Sequence, residues 1–146
     1  MNLDDLVHRT ALRVKMNKVS GSVIQHIALL KRALEQKNIQ CEFIQGYAVI
    51  PQTKEACMHF WLQEKETGLN LDIGWEIAKL KSPELQALHP ILLTEIPEGV
   101  VRSDVGDPDG EETQKSNMEQ FNMYHDNEKE FWRLAPYDVK SFSIKF

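Results

Sequence analysis

His59 and Asp72 stand in two runs that alternate apolar and polar residues, Cys57-Met58-His59-Phe60-Trp61-Leu62 and Leu69-Asn70-Leu71-Asp72-Ile73-Gly74. Alternation with period two is the mark of a half-buried strand, and a Gly-containing break between such runs reads as a hairpin. Pairing Leu62 with Leu69 sets Phe60 against Leu71 and Met58 against Ile73, so that one face is wholly apolar. The same register sets His59 opposite Asp72, and Cβ atoms of directly opposed residues lie about 5 Å apart. At that distance a carboxylate accepts from one imidazole nitrogen, fixes the tautomer and leaves the other nitrogen as an oriented base. Trp61 and Asn70 share this face, either lining a groove or filling space between helix and sheet. Cys57 shares it too, about 6.6 Å along the strand from His59. Its thiol has three readings: a small packed side chain, a displaced nucleophile, or the third ligand of a zinc site with His59 and Asp72.

A base needs an attacking group, and helix N-termini are where such groups are activated, because unpaired N–H donors and the helix dipole lower a thiol pKa. After Gly21, Ser22 is a good N-cap, and Val23, Ile27, Leu30, Ala33 and Leu34 recur at helical spacing until Lys37-Asn38. An earlier helix is expected over Leu3 to Met16, with Asp4 and Asp5 in its first turn. Cys41 to Ile50 reads as a strand stopped by Pro51, and Glu64 to Gly68 as the hairpin turn. A short helix is expected within Ala78 to Leu88, limited by Pro83 and Pro90, then strands at Ile91 to Thr94 and Val100 to Val101. Asp104 to Lys115 reads as an exposed polar loop, Met118 to Phe131 as containing a helix, and Val139 to Phe146 as a strand.

Four pieces of this layout resemble the transglutaminase-like superfamily: Gly21-Ser22-Val23 leading into a helix, Ile44-Gln45-Gly46-Tyr47, His59-Phe60-Trp61, and Leu71-Asp72-Ile73-Gly74. The agreement in order and spacing covers roughly residues 20 to 75. Members of that superfamily have a papain-like fold and a Cys, His, Asp triad in that chain order. The resemblance therefore implies an α+β fold with an N-terminal helical part and an antiparallel sheet of about five strands packed on a central helix. It assigns the base to His59 and the orienting acid to Asp72. The chain departs from the pattern at the nucleophile. Counting back from Ile39, or aligning a Gly-x-Cys pattern at Gly21, puts Val23 at the attacking position, and valine cannot attack. A shift of one residue offers Ser22, and an insertion of three offers Ser20, although a serine at a helix start is ordinarily a cap.

Composition fits one soluble domain over residues 1–146 with a single core: 42% hydrophobic residues, mixed charge and a net charge of −5. That charge argues against nucleic-acid and anionic-membrane partners. No apolar run reaches the roughly 20 residues of a membrane span, and Met1-Asn2-Leu3-Asp4-Asp5 has neither a basic start nor an apolar core of a leader, so a cytoplasmic protein with reduced thiols is expected. The acidic loop Asp104 to Glu112 does not read as a calcium loop, since Val105 and Ser116 would occupy ligand positions. His26 reads as a packed helix residue, and His8, His89 and His125 have no partner at a recognisable spacing. The leading functional expectation is a degenerate-triad domain that binds an extended peptide or another protein without catalysis, cofactor or metal. The rival is an acyl-transfer or amide-hydrolysing enzyme with Ser22 or Cys57 as nucleophile, His59 as base and Asp72 as orienter, and the zinc site is the third.

Overall fold

A computed structural model describes residues 3–16, 23–103 and 110–127. Within them the chain is α+β, with four helices and a five-stranded, mainly antiparallel sheet. In chain order these are α1 (Leu3–Met16), α2 (Val23–Glu35), β1 (Cys41–Ile50), β2 (Glu55–Glu64), β3 (Asn70–Leu71), α3 (Ile73–Lys81), β4 (Ile91–Leu93), β5 (Val101–Arg102) and α4 (Glu111–Asp126). No helix among the described residues is long and apolar enough to cross a membrane.

The central helix is α2, buried on nearly every side: Ile24, His26, Ile27, Ala28, Leu29, Leu30, Ala33 and Leu34 are all inside. Its end is set locally. Asn38 takes φ 61°, its N–H donates to Glu35 O at 2.9 Å, and the Ile39 N–H reaches Leu34 O at 3.0 Å. Those two bonds satisfy the last carbonyls of the helix and aim Ile39 back onto the core. One continuous cluster then joins Leu6 and Ala11 of α1, Ile27, Leu30 and Leu34 of α2, Phe43 of β1, Leu62 of β2, Leu71 of β3 and Ile73 of α3. Each large aliphatic side chain buried here is worth about 1.5–3 kcal/mol of transfer free energy.

β1 and β2 pair over ten residues, from Cys41 opposite Glu64 to Ile50 opposite Glu55, and β4 flanks β1. Because β1 covers one edge of β2 along its length, β3 and β5 share the other. β3 pairs only with Leu62 and Gln63, and β5 runs parallel beside Glu55 and Ala56. His59 falls in the interval between them. Directly across from it on β1 is Gly46. A Cβ on Gly46 would lie 2.5 Å from Trp61 Cη2 and 2.6 Å from Leu93 O, so only glycine admits the indole that crosses it.

Several expectations need correction. The second hairpin strand stops at Leu71, and its register is Leu62 with Leu71 and Gln63 with Asn70, two residues from the expected pairing. Ile73 and Gly74 are helical, because Asp72 caps a helix whose inner face repeats as Ile73, Ile77 and Leu80. Pro83 opens a separate 3₁₀ turn, Pro83–Ala87, rather than lying within a helix. Glu111 to Lys115 are the first turns of α4, not loop, since Glu111 and Glu112 suit a helix N-terminus. Ser20, Ser22, residues 104–109 and the strand expected over Val139 to Phe146 lie outside the described residues.

Candidate functional site

The local sequence that ends β3 also builds the site. Asp72 Oδ1 accepts from the Trp75 N–H at 3.0 Å, which caps α3, and both Asp72 oxygens lie 2.8 Å from His59 Nε2. A carboxylate only accepts, so Nε2 carries the proton and donates it. His59 Nδ1, which takes no hydrogen bond among the described residues, is left with its lone pair. The His59 and Asp72 side chains are 13% and 14% exposed, shielded enough to hold one geometry yet open to a ligand. The register shift does not separate them. Asp72 directly follows the Leu71 that pairs with Leu62, and as the N-cap of α3 it keeps its carboxylate within reach of His59 Nε2.

The start of α2 reaches the same place. A Cβ on Gly74 would sit 3.0 Å from Val23 Cγ1, 3.3 Å from His59 Cε1 and 3.6 Å from Asp72 Oδ1. Val23, the first residue of α2, and the imidazole thus both face Gly74, whose bare backbone lets α3 approach them. Gly74→Ala gains helix propensity but must push Val23 and the imidazole aside, for an expected net loss of about 1–2 kcal/mol. In a Val23→Ala background the loss should shrink by about 1 kcal/mol in a double-mutant cycle read by urea unfolding. Equal losses in the two backgrounds would show that α2 does not abut Gly74.

The other candidates separate. Trp61 is 2% exposed, so it fills space rather than lining a groove. Its ring stands 6.3 Å from that of His59, and its Nε1–H donates to Asn70 Oδ1 at 3.2 Å. Asn70 is exposed and also accepts from Gln63 Nε2 at 3.3 Å. Cys57 is half-buried, with Sγ 3.9 Å from Ala48 O. The described residues contain no group of three or more His, Cys, Asp or Glu placed to hold a metal, so Cys57, His59 and Asp72 do not converge as zinc ligands. Neither cysteine forms a disulfide, and burial, aided by Glu64, pushes the Cys41 thiol up to about 11.

Two histidines with no expected partner have one. His8 Nδ1 lies 3.0 Å from Glu76 Oε2, tying α1 to α3, and His125 bonds Glu35 across ninety residues of sequence. No local pattern announces contacts of that separation.

A base oriented by an acid beside a helix start can deprotonate a thiol or hydroxyl delivered to Nδ1. It has no attacking atom of its own at Val23. No family model matches this chain, and no similar protein was found among curated proteins or solved structures.

Proposed function

We propose that this is a transglutaminase-like domain on a papain-like fold, with a degenerate triad, that binds an extended peptide or protein segment and does not turn it over. The observation that carries the reading is the side chain at the start of α2. Val23 Cγ1 and His59 Cε1 both lie against Gly74, 3.0 and 3.3 Å from where a Cβ there would sit, while Nε2 is held by Asp72 at 2.8 Å. On this reading the base and its orienter remain, and Val23, which has no attacking atom, stands at the position of the nucleophile. Kept without a nucleophile, the pair still supplies one hydrogen-bond acceptor, Nδ1, for a polar group of a bound chain.

Mass spectrometry of protein treated with acyl-transfer and thiol-directed probes tests this. The expected result is no adduct at the start of α2. An adduct on Ser20 or Ser22 that disappears in His59→Ala would replace the binding module by the acyl-transfer enzyme, and a His59-dependent adduct on Cys57 would identify a displaced nucleophile.

A further inference from the structure

A cavity of about 300 Å³ lies on the sheet face that Tyr47 and Met58 share. The two are directly paired across β1 and β2, and because successive residues of a strand point to opposite faces, His59, next along β2, belongs to the other side. The cavity is therefore separate from the candidate site. Gln45, Tyr47 and Met58 form its floor, residues Thr94 to Ile96 one wall, and Gln114 of α4 the other. Both walls are fixed to the sheet. The Gln45 side chain donates to Gln114 O at 2.9 Å and accepts from Asn117 Nδ2 at 3.1 Å, which ties α4 to β1. On the opposite side Ile96 packs with Leu93 and Val100 against Tyr47, Val49 and Ala56, and the Val100 N–H closes a turn onto Pro97 O at 3.3 Å with Gly99 at φ 86°. A cavity whose walls are tied down needs no rearrangement to take a ligand.

The polar lining of the cavity is uncommitted. Tyr47 is 6% exposed, yet its hydroxyl makes no hydrogen bond among the described residues and is not shut off from solvent. An unpaired hydroxyl is costly inside a core, so on a residue this buried it must open onto space, and the cavity is the space that Tyr47 lines. The side chains of Thr94, Glu95 and Gln114 make no hydrogen bond among the described residues either. Of the described residues that line the cavity, Glu95 alone is charged. Arg102 lies over the Tyr47 ring, 5.9 Å from its centroid, and does not border the cavity. A carboxylate with no lining cation repels anions and favours a protonated amine, which needs only acceptors. The Tyr47 hydroxyl has a proton to donate and so pairs with an acceptor on the ligand, while the Tyr47 ring, Met58 and Ile96 supply apolar contact. We propose that this cavity binds a small protonated amine that carries a hydroxyl group on an apolar body, with the ammonium held by Glu95 and the hydroxyl by Tyr47.

The test is a titration of the full chain with tyramine at neutral pH, followed by the NMR shifts of the Met58 and Ile96 methyl groups and of the backbone amides of 45–47 and 94–96. A probe of about ten non-hydrogen atoms should bind with a Kd of millimolar order. Tyrosol, which has a neutral hydroxyl in place of the ammonium, should bind about fivefold more weakly, and 4-hydroxyphenylacetate, which has a carboxylate there, more weakly still. Glu95→Gln should bring tyramine and tyrosol to within about twofold of each other. Tyr47→Phe should weaken tyramine about fivefold yet leave the melting temperature of the unliganded protein within about 1 °C, because the hydroxyl has no partner in the fold to lose. The proposal is overturned if millimolar tyramine shifts none of these resonances, if the carboxylate probe binds as tightly as the amine, or if the preference for the amine persists in Glu95→Gln. A lower melting temperature in Tyr47→Phe would assign the hydroxyl to the fold and overturn it as well.

Discussion

Replacing Asp72 with alanine is expected to lower the unfolding free energy by about 2–4 kcal/mol, the largest loss from any single polar substitution at the site. Two bonds end together. The Trp75 N–H loses its cap acceptor, worth about 1 kcal/mol, and His59 Nε2–H loses its only described acceptor while 13% exposed, worth about 1–3 kcal/mol. The melting temperature should fall by about 6–15 °C. Asp72→Asn keeps an acceptor oxygen for both donors and should cost only about 1 kcal/mol. His59→Ala leaves the cap intact, so adding Asp72→Ala to it should cost little beyond the cap. Full additivity of the two alanine substitutions in urea unfolding, or a melt unchanged by Asp72→Ala, would mean that the pair is not formed.

Supplying the missing thiol should produce the largest change in reactivity. Val23→Cys places sulfur at the first residue of α2, which faces Gly74 as does the imidazole that Asp72 holds. A thiol there should titrate at or below about 7 rather than near 8.5, so that about half is thiolate at neutral pH. Cys41, pushed up to about 11, is thiolate only about once in 10⁴ molecules. Lower basicity reduces intrinsic nucleophilicity and offsets part of that gain, which leaves the introduced thiol about a hundredfold faster than Cys41 toward iodoacetamide. The pH–rate profile of alkylation, followed residue by residue, measures this. His59→Ala in the Val23→Cys protein should move the profile back toward that of an ordinary thiol. A profile indifferent to His59 would detach the start of α2 from the base and leave His59 and Asp72 as a structural pair.

Much of the frame was legible locally. The helical repeat of Leu3 to Met16 and of the residues after Ser22 matches α1 and α2, and the strand formers from Cys41 to the Pro51 stop match β1 residue for residue. Period-two alternation brought His59 and Asp72 together on paper, and the pair forms despite the wrong register because Asp72, just past β3, caps α3 with its carboxylate at His59 Nε2. What failed was the reading of Leu69 to Gly74 as strand throughout. Alternation over so few residues cannot distinguish a strand from a helix about to begin, and Asp72 followed by Ile73, Ile77 and Leu80 held the better signal.

The sequence by itself determined which residues form α1, α2 and β1, because these depend on neighbours within a few positions along the chain. Only the tertiary structure decided that Asp72 serves two donors at once, and that Trp61 is buried across Gly46 instead of lining a groove. It alone brought Val23 and the imidazole to the same glycine, Gly74, and joined His125 to Glu35. Each of those contacts links segments far apart in the chain. Their partners are chosen by how helices and sheet pack around a common core, and no periodicity in either segment encodes that choice.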